Sequence, residues 1–488
     1  MYLVGVLSWA ATMYGIGLAH WSAWFGLAAL SLYLGVYLPL FIGLTRVLTH
    51  RLRWPLLLAA PIVWTGLELA RGHLITGFSM ALLAHTQVDW TPLIQIADLA
   101  GGYTLSFLMV FTAAGVAIAW RERSKRRVAA FHLAAAALLL FAALGYGSWR
   151  LGQQHPENGR SINAALLQEV VDTEFSSDPM IPINTFQRYA KLARAAARKE
   201  PQPDVIVWPE SVYTADNGWP TWDANSRPPA EWPPEYDFEA TLQNARRVFG
   251  NRSADLLLGI EPRPMMLVGC DSFHYGAEGA IDRYNSAMML DSDSQVKAKY
   301  DKQHPVMFGE YVPFGDHFPF VYQFTPFGSG LTPGREPVAM TVGEVRLAPS
   351  ICFESTVPHL IRGQVRALQR RGESPDVLVN LTNDGWFWGS SVLDLQHACA
   401  VFRAVELRKP MLVAANTGIS AHIDGNGRVL AQSPKRAVDT LFVQAAADGR
   451  TSPYLLVGDW PAALCAAICL LAATLGLWPW ERVWVAAK

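Results

Sequence analysis

The stretch VRLAPSICFES, residues 345–355, decides how the rest of this chain is interpreted. An apolar run typical of a β-strand ends at Cys352, and an aromatic residue and a carboxylate follow at once. The end of a strand holds a side chain rigidly at the rim of a cleft, where a thiol can attack an acyl group if a neighbouring group takes its proton. A cysteine after an apolar run is more often a small buried hydrophobe, so the stretch needs chemical partners elsewhere in the chain.

The composition excludes several classes of function. Of the 488 residues 51% are hydrophobic, and the formal net charge is −1. Because no basic field exists to neutralise phosphates, we predict no nucleic-acid partner. The five scattered cysteines do not form a disulfide framework, and no Cys/His spacing of the zinc type is present. The sequence therefore implies neither a metal nor an organic cofactor.

Apolar runs at both ends predict an α-helical transmembrane bundle. They cover residues 2–19, 23–44, 54–69, 93–120, 128–146 and 461–478. The first run lacks a basic leader and a cleavage site, so we expect it to be retained. Basic clusters at 46–53 and 121–127 belong in the cytoplasm by the positive-inside rule. With five spans, the chain from about Trp149 onward lies on the extracytoplasmic side of the membrane. The sixth span returns Arg482 and Lys488 to the cytoplasm.

The middle of the chain alternates strand-like and helical patterns, as an α/β domain does. Strand-like runs at 162–168, 204–208, 376–381 and 410–415 alternate with helical patterns at 185–199 and 393–408. Residues 214–238 interrupt this alternation, and they contain three tryptophans and several prolines. They form either a long functional arm or a segment that its tryptophans pack onto the domain. We expect a membrane bundle over 1–150, an extracytoplasmic domain over 151–455 and a C-terminal transmembrane helix over 456–488.

Reactive residues follow four of the strand-like runs. They are Glu210 in WPES, Lys302 in YDKQH, Cys352 in SICFES and the NDG turn at 383–385. If the first three gather at one sheet edge, Glu210 would accept the thiol proton and the Lys302 ammonium would stabilise an oxyanion. Structural alternatives stay open at this point. Lys302 lies in a charged run that could be a solvated face, and NDG is a good turn by itself.

Five motifs carry a resemblance to a known family. They are VWPES (207–211), KYDKQH with FGEYVPF (299–304 and 308–314), SICFES (350–355), NLTNDGWF (380–387) and RAVELRKPMLVAANTGIS (403–420). In this order, and with apolar runs at both ends, the chain resembles the apolipoprotein N-acyltransferases, the membrane-embedded members of the nitrilase (carbon–nitrogen hydrolase) superfamily. The resemblance implies a nitrilase-like four-layer αββα sandwich joined to the transmembrane bundle.

The resemblance also implies a site and a reaction. Its catalytic triad falls on Glu210, Lys302 and Cys352, and positions that support the site or bind substrate fall on Glu310, Glu354, Phe353 and Trp386. In the family, the cysteine takes a fatty acyl chain from a phospholipid as a thioester. The N-terminal amine of the S-diacylglyceryl cysteine of a lipoprotein then receives it. We therefore expect a monomeric, multi-pass protein of the bacterial inner membrane with its catalytic domain on the periplasmic side of the bilayer.

Departures from the family pattern leave other functions open. About six spans are visible where the family usually shows eight, and Phe353 stands where the family has tyrosine. A first alternative is a membrane-anchored amidase or nitrilase that hydrolyses a small amide. A second is a catalytically inactive protein that binds lipid or lipoprotein. A third is a Cys–His protease that uses His397 or His304.

Overall fold

The computed structural model describes residues 1–477 except 19, 154–158, 174–177, 216–217, 316, 319, 321 and 323–328. The predicted end of the last span at Trp478 and the cations Arg482 and Lys488 lie outside the described residues. The helices are α1 (Tyr2–Thr12), α2 (Ala23–Gly35), α3 (Tyr37–Arg46), α4 (Leu56–His73), α5 (Thr91–Ile94), α6 (Ala97–Ala100), α7 (Gly102–Arg121), α8 (Arg126–Gly152), α9 (Met180–Ala197), α10 (Phe238–Leu256), α11 (Pro358–Arg370), α12 (Val392–Leu407), α13 (Pro453–Val457) and α14 (Trp460–Leu477).

Three helical runs among the described residues are long and apolar enough to cross a membrane. The first is Ala23–Arg51, in which α2 and α3 continue into a π-helical turn, and the others are α7 and α8. Their lengths of 29, 20 and 27 residues suit a hydrocarbon core about 30 Å thick. Helix α1 and the apolar part of α14 are shorter. Helix α4 has 18 residues and buries Glu68 and Arg71.

The spans predicted over 2–19 and 93–120 are not single helices, and in each of them a glycine lies where the helix is interrupted. Helix α1 ends at Thr12, and a 3₁₀ turn over Tyr14–Leu18 follows. A Cβ at Gly15 in this turn would lie 1.9 Å from the Ser390 hydroxyl oxygen, so the chain passes too close to Ser390 for a side chain. The span predicted over 93–120 begins only at α7, because Gly101 with φ +77° separates α6 from α7.

Two facing sheets form the centre of the polar domain. The strands are β1 (Ser161–Gln168), β2 (Val205–Val207), β3 (Trp219–Trp222), β4 (Met265–Tyr275), β5 (Ile281–Leu290), β6 (Val296–Asp301), β7 (Met340–Val342), β8 (Val345–Ile351), β9 (Val377–Asn383), β10 (Met411–Asn416), β11 (Ala421–Ile423), β12 (Val429–Gln432) and β13 (Asp439–Ala446). The first sheet has the order β13-β1-β2-β4-β5-β6 with β3 paired to β4, and the second has the order β12-β11-β10-β9-β8-β7. The four predicted strands are confirmed as β1, β2, β9 and β10.

Helices cover the outer face of each sheet. Helices α9 and α10 pack Tyr189 and Phe249 onto the first sheet, and the two sheets meet through a separate apolar cluster that includes Leu166 and Leu347. Helices α11 and α12 pack on the second sheet with residues such as Phe402. The predicted helices at 185–199 and 393–408 correspond to α9 and α12, although α9 begins earlier, at Met180. The result is the expected four-layer αββα sandwich.

The second helix layer is shared with the membrane part. Leu93 and Tyr103 belong to the same apolar cluster as α11 and α12. Asp98 of α6 is fully buried there and accepts hydrogen bonds from Arg150 Nε at 2.7 Å and Arg408 Nε at 2.8 Å. A carboxylate held by two guanidinium groups thus joins α6, α8 and the end of α12.

The tryptophan-rich segment at 214–238 packs on the domain in its described part. Strand β3 pairs in parallel with β4. The Arg246 guanidinium lies 5.2 Å from the Trp219 ring and 4.3 Å from the Trp222 ring, and the Trp232 ring lies 5.0 Å from that of Phe238. Of the two interpretations of this segment, these contacts favour packing.

Candidate active site

Each residue of the predicted triad directly follows a strand. Glu210 comes three residues after β2, Lys302 one residue after β6, and Cys352 one residue after β8. The backbone before Glu210 passes unusually close to β4. A Cβ at Gly269 of β4 would lie 2.3 Å from the Pro209 carbonyl oxygen, so only glycine fits there. The first sheet supplies the Glu and the Lys, and the facing sheet supplies the thiol.

The Lys302 ammonium lies between two carboxylates. Its Nζ is 3.2 Å from Glu210 Oε1 and 2.6 Å from Glu310 Oε1, and the lysine is 1% exposed. Glu210 also accepts a hydrogen bond from Asn285 Nδ2 at 2.6 Å and one from the Asn383 backbone N–H at 2.8 Å. Both partners hold the Glu210 carboxylate in one orientation toward the lysine.

Glu310 is held by its own loop. Its Oε2 accepts a hydrogen bond from the Val306 N–H at 2.7 Å, and its backbone N–H donates to the Val306 carbonyl at 2.7 Å. Several phenylalanines of this loop expose more than half of their surface: Phe308, Phe314, Phe318 and Phe320. The loop therefore combines a fixed carboxylate with an apolar outer surface.

Cys352 has a strained backbone. Its φ is +52°, a left-handed conformation that costs a residue with a Cβ roughly 1–3 kcal/mol. The Cys352 carbonyl oxygen accepts hydrogen bonds from Asn380 Nδ2 and from the Ser355 hydroxyl, each at 3.2 Å. These bonds hold the turn, and Cys352 as a whole is half-buried.

The charges around the thiol set its protonation state. Burial and the negative charge of Glu210 raise the pKa of the Cys352 thiol well above its ordinary value, and the Lys302 ammonium offsets part of this rise. Burial lowers the pKa of Lys302, but Glu210 and Glu310 outweigh burial and leave it well above the ordinary value. At neutral pH the lysine is therefore an ammonium, and the thiol keeps its proton until a base removes it.

Glu354 connects the strand ends that carry Cys352 and Lys302. It is fully buried and accepts hydrogen bonds from the backbone N–H groups of Ile351 at 2.7 Å and Gln303 at 2.6 Å. The Tyr300 hydroxyl donates to the same carboxylate at 2.8 Å. Glu354 therefore positions both residues.

Phe353 and Trp386 follow strands β8 and β9 of the second sheet. Phe353 packs in one apolar cluster with Met13, Leu27 and Phe78 of the membrane part, and its ring stacks on that of His304 at 6.0 Å. Trp386 is half-buried in the 3₁₀ turn Gly385–Phe387 after β9. The residue after the candidate nucleophile thus belongs to an apolar cluster to which membrane helices also contribute.

The two histidines considered for a Cys–His protease have other surroundings. His304 stacks on Phe353, and its backbone N–H donates to Glu354 at 3.1 Å. His397 lies on α12, and its Nδ1 is buried without a hydrogen-bond partner among the described residues. Within the described part of the chain no hydrogen bond joins the Cys352 thiol to an imidazole, so the geometry does not favour this alternative.

Sequence reasoning did not assign a role to several residues of the site. Asn285 comes from the middle of β5, where no motif marks it. Asn380 lies in the strand predicted over 376–381, and Asp384 lies in the NDG sequence, which is typical of a turn. Asp384 accepts a hydrogen bond from the Thr382 hydroxyl at 2.8 Å. Burial, reinforced by the negative charge of Glu210, raises the pKa of Asp384 to about 7.

Comparison with known proteins places this site in a class. Residues 182–452 match the model of the carbon-nitrogen hydrolase family, and residues 1–115 match that of the apolipoprotein N-acyltransferase N-terminal domain. The two-sheet sandwich is therefore that of a carbon–nitrogen hydrolase. A carbon-nitrogen hydrolase from Helicobacter pylori G27 aligns over 67% of this chain and 98% of its own, with 13% identity and a TM-score of 0.39.

Relatives that match nearly the whole chain define the family. The apolipoprotein N-acyltransferase of Rhodopirellula baltica is 31% identical over 509 residues, which cover 97% of this chain and 88% of the relative. That of Geobacter metallireducens is 33% identical over 492 residues, which cover 97% and 86%. The chain belongs to the apolipoprotein N-acyltransferase family, and it is an acyltransferase.

Proposed function

We propose that this protein transfers a fatty acyl chain from a phospholipid to the N-terminal amine of the S-diacylglyceryl cysteine of lipoproteins, through a thioester on Cys352. Glu210 is the general base and acid, and Lys302 stabilises the oxyanion. Glu310 is the fixed counter-ion of Lys302. The enzyme works as a monomer in the bacterial inner membrane, and its catalytic domain lies on the periplasmic side.

One observation carries the proposal: the residue after the candidate nucleophile belongs to an apolar cluster to which membrane helices contribute. Phe353 shares an apolar cluster with residues of α1 and α2, while Cys352 lies where the charges of Glu210 and Lys302 act on its thiol. A hydrolase of small water-soluble amides does not need this contact. A lipid acyl donor does, since its ester must reach the thiol without leaving an apolar environment.

In the first step the thiol sulfur attacks the ester carbonyl carbon of the phospholipid. As the S–C bond forms, the thiol proton passes to Glu210 and the negative charge on the carbonyl oxygen is stabilised by the Lys302 ammonium. When the C–O bond breaks, Glu210 returns the proton to the leaving oxygen. The products are an acyl thioester on Cys352 and a lysophospholipid.

In the second step the neutral N-terminal amine of the lipoprotein attacks the thioester carbonyl. An N–C bond forms, Glu210 accepts the amine proton, and the S–C bond breaks with return of that proton to the sulfur. The products are an N-acylated lipoprotein and the free thiol. Water must stay away from the thioester between the two steps, and the exposed phenylalanines beside Glu310 would shield it when they lie in the bilayer.

Labelled phospholipid tests the first step. Purified enzyme in detergent is incubated with phospholipid that carries a labelled acyl chain, and the label on the protein is measured before and after neutral hydroxylamine, which cleaves thioesters. We expect hydroxylamine-sensitive label on the wild-type protein and on the control variant Cys465→Ala, whose cysteine lies in α14. We expect none on Cys352→Ala.

Two further variants test the roles of the charged residues. Glu210→Gln should slow thioester formation by about 10²–10⁴-fold, the usual contribution of a general base, and Lys302→Gln by about 10²–10³-fold, as for loss of an oxyanion donor. Lys299→Gln is the control for lysine, because Lys299 pairs with Asp301 outside the site. Equal label on wild-type and Cys352→Ala protein, or release of free fatty acid with no transfer to a diacylglyceryl peptide, contradicts the proposal. The latter result would favour a hydrolase.

A further inference from the structure

Three side chains with metal-binding atoms meet outside the candidate active site. His73 is the last residue of α4, His359 is the second residue of α11, and Asp459 directly precedes α14. One ligand atom of each lies within 4.8 Å of the other two, and the imidazole rings stack with centroids 4.2 Å apart. The cluster thus joins the ends of two membrane helices to a helix of the catalytic domain.

The hydrogen bonds around the cluster leave ligand atoms available. His73 Nδ1 lies 3.0 Å from the Leu69 carbonyl oxygen. Because a carbonyl only accepts, Nδ1 carries the hydrogen and the lone pair of Nε2 is available. This is the arrangement that orients metal-binding histidines in proteins. Asp459 accepts a hydrogen bond from the Tyr454 hydroxyl through Oδ1 at 2.8 Å, which orients the carboxylate in the same way.

The second histidine is half-buried at the start of α11. His359 Nδ1 is enclosed and has no hydrogen-bond partner among the described residues. Within the described part of the chain this nitrogen is therefore not committed to a hydrogen bond that a metal ion would have to displace.

We infer that His73, His359 and Asp459 bind a divalent transition metal ion of the zinc type. Two imidazoles and one carboxylate are a common set of three protein ligands for zinc, with water as the fourth ligand. Tetrahedral bonds of about 2.1 Å place ligand atoms roughly 3.4 Å apart, so the three atoms would approach by up to about 1.4 Å on binding. One imidazole would also turn out of the stack, because one ion cannot lie in the planes of two nearly parallel rings.

The role of this ion is to strengthen the junction between the membrane bundle and the catalytic domain. The junction is already tied by Arg362 of α11, whose Nε donates to the Tyr454 carbonyl at 2.8 Å. The metal site contains none of the residues proposed for acyl transfer. The inference is therefore independent of the proposed function and is tested without an activity assay.

Metal retention is the first test. Tag-free full-length protein in detergent is stripped with a chelator, loaded with Zn²⁺ and dialysed, and its metal content is measured by mass spectrometry. We expect one zinc ion per chain. Because loss of an outer partner of a metal ligand costs 10–100-fold in affinity, we expect at least about a 100-fold loss for His73→Gln or His359→Gln and about a 10-fold loss for Tyr454→Phe.

A histidine with the same backbone contact provides the control. His132 of α8 places its Nδ1 2.8 Å from the carbonyl oxygen four residues earlier, as His73 does, but it is outside the cluster. His132→Gln should keep the zinc affinity of the wild type. His73 is exposed, so His73→Gln should fold normally, which separates loss of a ligand from loss of the fold.

Cobalt(II) absorption and the melting temperature with zinc provide two further tests of the metal site. Cobalt(II) in place of zinc should give the visible absorption of a four-coordinate ion in the wild type and in His132→Gln, and zinc should raise the melting temperature of the same two proteins. Absence of stoichiometric zinc in the reloaded wild type overturns the inference. Zinc content unchanged in the double variant His73→Gln/His359→Gln overturns it as well.

Discussion

Replacing Asp384 by Asn should change how the stability of the protein depends on pH. Asp384 is buried next to the Cys352 turn, and burial raises the pKa of its carboxyl to about 7. In an unfolded chain the same carboxyl has a pKa of about 3.9. Between these two values the folded protein holds a proton that the unfolded chain has released.

The sign and size of the effect follow from this difference. Because the folded state binds this proton between about pH 4 and pH 7 and the unfolded chain does not, the contribution of Asp384 to stability is complete below about pH 4 and is lost as the pH rises through this window. A difference of about three pKa units at about 1.4 kcal/mol each amounts to about 4 kcal/mol. At about 2 °C per kcal/mol for a domain of this size, the melting temperature should change by about 8 °C.

Thermal unfolding in detergent between pH 4.5 and pH 8 measures this effect. In Asp384→Asn this contribution disappears. The melting temperature of the variant minus that of the wild type should therefore increase by most of these roughly 8 °C, or about 6 °C, as the pH rises from 4.5 to 8. Asp394→Asn is the control, because the Asp394 side chain is 57% exposed and pairs with Lys435 at the surface. A constant difference between wild type and Asp384→Asn at every pH would refute the reasoning.

Three further substitutions test other parts of the structure. Gly147→Ala in α8 should destabilise the protein by about 1–3 kcal/mol in thermal unfolding, because its Cβ would lie 1.8 Å from a backbone carbonyl oxygen of α5, whereas Gly145→Ala has open space and should be neutral. Arg408→Leu removes one of the two guanidinium partners of buried Asp98 and should cost about 3–5 kcal/mol in the same assay. Glu354→Gln cannot accept all of the backbone N–H bonds that Glu354 accepts, so it should lose about 2–3 kcal/mol of stability and form the Cys352 thioester more slowly.

The strand ends were predictable because their residues are local in sequence. A strand-like run followed closely by Glu, Lys or Cys marks a strand and its end together, and Glu210, Lys302 and Cys352 all follow strands within three residues. The same reasoning cannot find Asn285. Its side chain reaches Glu210 only because β5 lies next to β4 in the folded sheet, and nothing in the local sequence encodes that neighbour.

Long-range contacts explain the other differences from prediction. Apolar composition extends through residues 2–19, but the helix ends where Gly15 allows the chain to touch Ser390, nearly 400 positions away. The metal cluster is a similar case. His73 and His359 are 286 positions apart and Asp459 follows 100 positions later, so no spacing motif of the zinc type includes them.

The position of Lys302 between two carboxylates explains why the proposed site needs both. In the proposed attack the proton would move from the thiol to Glu210, so Glu210 would lose its negative charge while the oxyanion gains one, and the net charge around Lys302 would not change. The ammonium exchanges one anionic partner for another and remains held by Glu310, 2.6 Å away. Because Glu310 and the backbone of its loop keep the ammonium in place, little reorganisation accompanies the charge transfer, and this lowers the barrier for a buried ion. Glu210 therefore has to accept the proton, and Glu310 has to remain charged.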